Sequence, residues 1–226
     1  MQRARRDLWT PIAGVLAAVT FVVGLLFVSD TPDDTDTDAQ VLAWYGDHGH
    51  RVGIVVGAFL LAFCGLFFLW FAGGLRQRLR AAEGPGGRLT EIAFGGAVAF
   101  VAMLWAGAAA IAAVPAGQEL GNSPALKVAD IARYLPSVGF GAILLFGAFG
   151  AIALIDAASV VIMRTGILPK WLAWLGFVAA VVLLFAVVFL PMVALPIWVL
   201  ATSIVLFRLP SIEAEPVVVV PTPPPG

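Results

Sequence analysis

Asp156 is the residue whose type and setting point most directly to chemistry. It sits in "GAIALIDAASVVIMR", residues 150–164, a run otherwise suited to hydrocarbon. A lone acid in such a run can do one of two things. It can carry a proton or cation along a path, or, uncharged, it can hydrogen-bond across to a neighbouring helix. Ser159 follows three residues later on the same helical face, and Thr202 and Ser203 lie at comparable depth in the last apolar segment. These four form the intramembrane polar candidate, with the Thr202 and Ser203 hydroxyls as expected partners of the carboxylate. Glu91 and Arg164 fall at segment ends, so no second buried acid or base extends a relay.

A second group is predicted outside the apolar runs. "WYGDHGHR", 44–51, and "ARYL", 132–135, bring Tyr45, Asp47, His48, Arg51, Arg133 and Tyr134 near two segment ends, where they are expected to line a small outer cup. Asp47, His48 and His50 are the only metal-ligand candidates of note, since imidazole and carboxylate suit zinc. No second paired motif accompanies them, so no metal and no cofactor is expected. Asp34, Asp36 and Asp38 match the start of a calcium loop, but Ala39 stands where glycine is required and Tyr45 where a bidentate glutamate belongs. No Ser-His-Asp order, CxxC pair or HExxH is present, and "GPGGR" at 84–88 lacks the phosphate-loop pattern. No catalytic residue is assigned.

The elements that position these groups are apolar helices. The chain has 226 residues, 61% hydrophobic and 12% charged, with mean hydropathy +1.00. Soluble domains carry about 25% charged residues, so lipid is the expected solvent. A net charge of −1 offers no basic face for nucleic acid. The expected fold is an all-α bundle of six transmembrane helices over 1–208, with spans near 8–28, 52–74, 91–114, 136–163, 169–190 and 192–207. The apolar stretch of the first is too long for a signal-peptide core, which predicts a retained helix. Thr37 and Gln40 predict a capping box opening a short helix. Ser123-Pro124 predicts a second short helix, ended by Pro136. The proline-rich stretch 209–226 is expected to be a disordered tail.

Arg3, Arg5, Arg6, Arg76, Arg78, Arg80, Arg88, Arg164, Lys170 and Arg208 fall on one side of that six-span arrangement, and only Arg51, Lys127 and Arg133 on the other. This bias predicts both termini in the cytoplasm. Trp9, Trp70, Trp171, Trp174 and Trp198 lie near span ends, where indoles favour the headgroup layer, while Trp105 is mid-span. "GIVVG" at 53–57 and the pairs Gly95/Ala99, Ala102/Ala106 and Gly147/Ala151 have the small-xxx-small spacing of close helix packing, inside the bundle or in a homo-oligomer. Cys64 reads as an apolar filler. The two halves of the chain show no repeat of the kind that builds many transporters.

"MRTGILPKWLAWLGF" at 163–177, "LRQRLRAAEG" at 75–84 and "WYGDHGHR" together resemble an uncharacterised family of six-span actinobacterial membrane proteins. The resemblance implies a bacterial plasma membrane and a helical bundle, and carries no activity with it. The expected function is therefore a structural or accessory membrane component that packs with itself or with other membrane proteins. The alternatives are a small-solute or proton-coupled transporter using Asp156 and, ranked lower, an outer-face sensor or metal binder.

Overall fold

Twenty residues from Trp9 to Val28 carry no charge and form helix α1 in the computed structural model, which describes residues 8–32, 35–121, 123–124, 129–188 and 190–209. The basic lead and the proline-rich tail beyond Leu209 lie outside the described residues. Helix α2, Asp38–Gly46, opens on the expected capping box, with Thr37 and Gln40 bonding each other's backbone N–H. Asp47 then accepts from the backbone N–H of His50 and starts α3, His48–Glu83. At 1.5 Å per residue α3 is about 54 Å long, well beyond a hydrocarbon layer of about 30 Å.

A tight turn returns the chain into α4, Arg88–Glu119. Gly84 and Gly87 adopt φ of +84° and +48°, in which a side chain would be strained. Glu83, the last residue of α3, accepts from the N–H groups of Leu89 and Thr90 at 2.9 and 2.8 Å. It thus satisfies two of the donors that α4 leaves open at its start.

Helix α5 (Asp130–Gly141), a wide turn with π-helical bonding (Ala142–Gly147) and α6 (Ala148–Thr165) run as one helix, Asp130–Thr165. Pro136 was expected to end a short helix here, and instead lies inside α5. Only one backbone bond is lost to it, and a side chain elsewhere replaces that bond, as shown below. The predicted start at Ser123 is not seen; helix begins at Asp130, and residues 125–128 lie outside the described set.

Helix α7, Lys170–Leu183, is followed by short 3₁₀ turns at Ala186–Val188 and Leu190–Val193 and by α8, Ala194–Arg208. A helix through residue 190 was expected. Pro191 has no N–H and disfavours helical geometry in the residue before it, so the chain breaks earlier. Among the described residues there is no strand, and five helices are long and apolar enough to cross a membrane. Helix α7, with 14 residues, is shorter.

Helices α1, α3, α4, α6, α7 and α8 pack in that order, and α8 closes against α1. Phe21, Phe68, Phe71 and Phe100 meet in the interior, with the rings of Phe68 and Phe100 4.9 Å apart. Glycines set the helix spacing. A β-carbon on Gly96 of α4 would lie 2.6 Å from the carbonyl of Gly150, and one on Gly107 would lie 2.5 Å from the carbonyl of Gly139. Of the "GIVVG" pair, Gly57 packs tightly on α1 at Val28 and Gly24. Gly95, Ala99, Ala102 and Ala106 face outward instead.

Three hydroxyl side chains fill glycine notches on neighbouring helices: Thr10 at Gly74, Ser203 at Gly14 and Ser159 at Gly176. Trp9, Trp70, Trp171 and Trp174 are exposed as expected, but Trp198 is fully buried. Its indole nitrogen also borders the Gly176 notch, where the missing side chain makes room for the ring.

Candidate functional site

Asp156 lies in the middle of α6. That helix presents Gly150 and Leu154 to α4, and Ile155 and Ser159 to Gly176 of α7. Between these two contacts runs a stripe at helical spacing, Phe149, Ile152, Asp156, Val160 and Met163. Phe149 at its head is 58% exposed, and Asp156 is half-buried. The carboxylate thus belongs to the outward face of the helix, and it has no hydrogen bond or ion pair among the described residues.

The expected hydroxyl partners do not reach it. Ser159 is buried towards α7, Thr202 donates to the carbonyl of Trp198 at 2.8 Å, and Ser203 is turned towards Gly14 and Phe71. The reason is topological: α6 packs on α4 and α7, while α8 packs on α7 and α1. Equal depth does not make two residues neighbours when another helix separates them. Among the described residues, the buried oxygens of Ser159 and Ser203 and the indole nitrogen of Trp198 have no hydrogen-bond partner.

The second candidate group divides into two clusters. Tyr45 is 2% exposed in a small core with Val41, Ala129 and Ala132, and donates its hydroxyl to the carbonyl of Ala132 at 3.1 Å. That carbonyl would ordinarily accept the N–H of residue 136, which as proline has none. Tyr45 supplies the missing donor and so ties α2 to α5. Burial pushes its pKa up to about 12. Tyr45→Phe should cost about 1–3 kcal/mol and speed amide exchange in α2. Exchange in α2 as slow as in the parent would show that the bond contributes nothing. Beside it, Arg133 donates to the carbonyl of Asp36 at 2.8 Å and to the Asp38 carboxylate at 2.7 Å.

Arg51 forms the second cluster. Its Nε lies 2.5 Å from Oε1 of Glu119, and its Nη1 donates to the carbonyls of Tyr45 and Gly46. Nδ1 of His48 lies 3.0 Å from the other Glu119 oxygen. Two backbone N–H groups, of His50 and Gly49, hold the Asp47 carboxyl below its usual range. His50 stacks on Trp44 with ring centres 4.6 Å apart, and Tyr134 is exposed at 59%. Thus Tyr45 and Arg133 each tie α2 to α5, Arg51 and His48 meet on Glu119, and the two histidines point to different partners. Among the described residues no three metal-capable side chains converge.

Sequence reasoning missed Glu119. The signal was available: it lies one turn past Pro115, at the end of the helix antiparallel to the one that Arg51 begins. At the opposite end of the same helices, Glu91 accepts both Arg76 and Arg80, with Arg76 also 5.0 Å from the Phe94 ring centre. Comparison with protein-family models, curated proteins and solved structures returns no match, so the site rests on its own geometry.

Proposed function

We propose that the chain is an integral membrane protein of six spans, both ends cytoplasmic, that works as an accessory component by associating with itself or with other membrane proteins through the outward face of α6. The observation that carries this reading is Asp156 on that face, half-buried and without a partner among the described residues. Leaving a carboxylate against lipid at mid-helix costs about 2.5–3.5 kcal/mol. Asp156 is eight residues, about 12 Å, from Arg164, too far for its short side chain to reach the interface. A helix from another subunit that hydrogen-bonds it offsets part of that cost, since bonds of this kind contribute about 1–2 kcal/mol.

Support for the six-span arrangement comes from the ring of helices. Thr10 meets Gly74, Gly14 meets Ser203, and Glu83 feels the charge of Arg164, all towards one end of the bundle. That end collects Arg76, Arg80, Arg164 and Arg208. Helix α7, about 21 Å long, reaches the opposite end with the help of the 3₁₀ turns that follow it.

Crosslinking in native membranes tests the proposal. The parent should give a discrete larger species, and Asp156→Leu should weaken it about tenfold while helical content stays unchanged. Asp156→Asn, which keeps hydrogen-bonding capacity, should retain most of it. A parent that crosslinks to nothing, or an Asp156→Leu variant that crosslinks as well as the parent, overturns the proposal. Proton flux in vesicles that is lost in Asp156→Asn with crosslinking unchanged would put transport in its place.

A further inference from the structure

Between α3 and α4, towards the α2 end of the bundle, lies an open apolar slot of about 380 Å³. Small side chains make it: Ala58 and Ala62 on α3, and Ala109, Ala112 and Ala116 on α4. Trp105 forms the floor, its ring in the notch at Gly65 and its indole N–H on the carbonyl of Ala62 at 3.2 Å. Leu120 marks the other end, so the slot follows α4 for fifteen residues, about 22 Å. One leaflet of hydrocarbon is about 15 Å deep. The same helical faces continue into polar groups: Arg51 is one turn above Val55 of the lining, and Glu119 lies between Ala116 and Leu120.

We propose that this slot holds one acyl chain of a zwitterionic phospholipid, with the headgroup seated at the Arg51–Glu119–His48 cluster. Arg51 is charge-balanced by Glu119, and Asp47 adds a second carboxylate beside His48. One fixed cation against two carboxylates disfavours an anionic headgroup. A zwitterion fits, its phosphate towards Arg51 and its ammonium towards Asp47 and Glu119. The chain occupies the alanine-lined trough down to the Trp105 ring. The inference rests on the membrane reading above, and is independent of what covers Asp156.

Native mass spectrometry of protein extracted from bilayers of phosphatidylethanolamine and phosphatidylglycerol in equal amounts provides the test. The parent should retain one phosphatidylethanolamine per chain. Ala109→Phe and Ala116→Phe, each filling the slot from a position that is not fully buried, should lower its occupancy at least tenfold. Asp156→Leu should leave occupancy unchanged even where it weakens crosslinking, which keeps the two proposals apart. Alkaline extraction of the membranes reports integration separately. No retained lipid, equal retention of the two lipids, or retention untouched by both phenylalanine variants overturns the proposal.

Discussion

Gly96→Ala is expected to destabilise the fold by about 2–3 kcal/mol, while the same change at the adjacent Gly95 is neutral or stabilising by up to about 1 kcal/mol. A β-carbon at Gly96 would lie 2.6 Å from both the Gly150 carbonyl oxygen and the Leu154 nitrogen, and 2.9 Å from the β-carbon of Ala153. Two of these three obstacles are backbone, so no rotamer change relieves them and α4 must move away from α6. At Gly95 nothing lies within 4 Å, and alanine is the better helix former. Unfolding of the two variants in detergent provides the comparison. Equal stabilities would mean that α4 and α6 do not touch at Gly96 and Gly150.

Gly176→Ala should cost a similar amount, about 2–3 kcal/mol, for a different reason. Its β-carbon would lie 2.0 Å from the Ser159 oxygen and 2.9 Å from the Trp198 indole nitrogen. Here the closest obstacle is a single side-chain atom that has no hydrogen bond of its own. Ser159→Ala alone should therefore be nearly neutral, because a buried hydroxyl without a partner contributes little. Adding it to Gly176→Ala should restore about 1–2 kcal/mol, as expected for residues in direct contact. Strictly additive losses in the double variant would show that Ser159 does not fill the notch.

These two glycines also mark where sequence reading stops. The helices themselves were legible, because charge-free runs and Lys/Arg placement are local signals that survive without any knowledge of neighbours. Thr37 with Gln40 was legible for the same reason, since a capping box is complete within four residues. Which glycines touch was not. Gly95/Ala99 and Ala102/Ala106 carry the packing spacing yet face outward, while Gly96, Gly107, Gly139 and Gly150 make the contacts. In so apolar a helix every face looks alike, and no hydrophobic periodicity reveals its orientation.

The candidate groups divide along the same line. Asp156 stands out by composition, but its neighbours depend on the order of helices around the ring, and Thr202 and Ser203 prove to be on a helix that packs chiefly on α1 and α7. Pro136 reads as a helix stop in the sequence because a proline interrupts one backbone bond. Tyr45, distant in sequence, replaces that bond, and only the folded arrangement reveals the substitution.

The closure of α8 on α1 bears on how the chain is made. Leu195, Pro196 and Val199 cover Ala17, Ala18 and Phe21, and Ser203 fills the Gly14 notch. Helix α1 thus gains one of its two flanks only from α8, which is made after α3, α4, α6 and α7. Until α8 has been made, that flank of α1 must be covered by something other than its own fold, and the ring of helices closes only after α8 has left the ribosome.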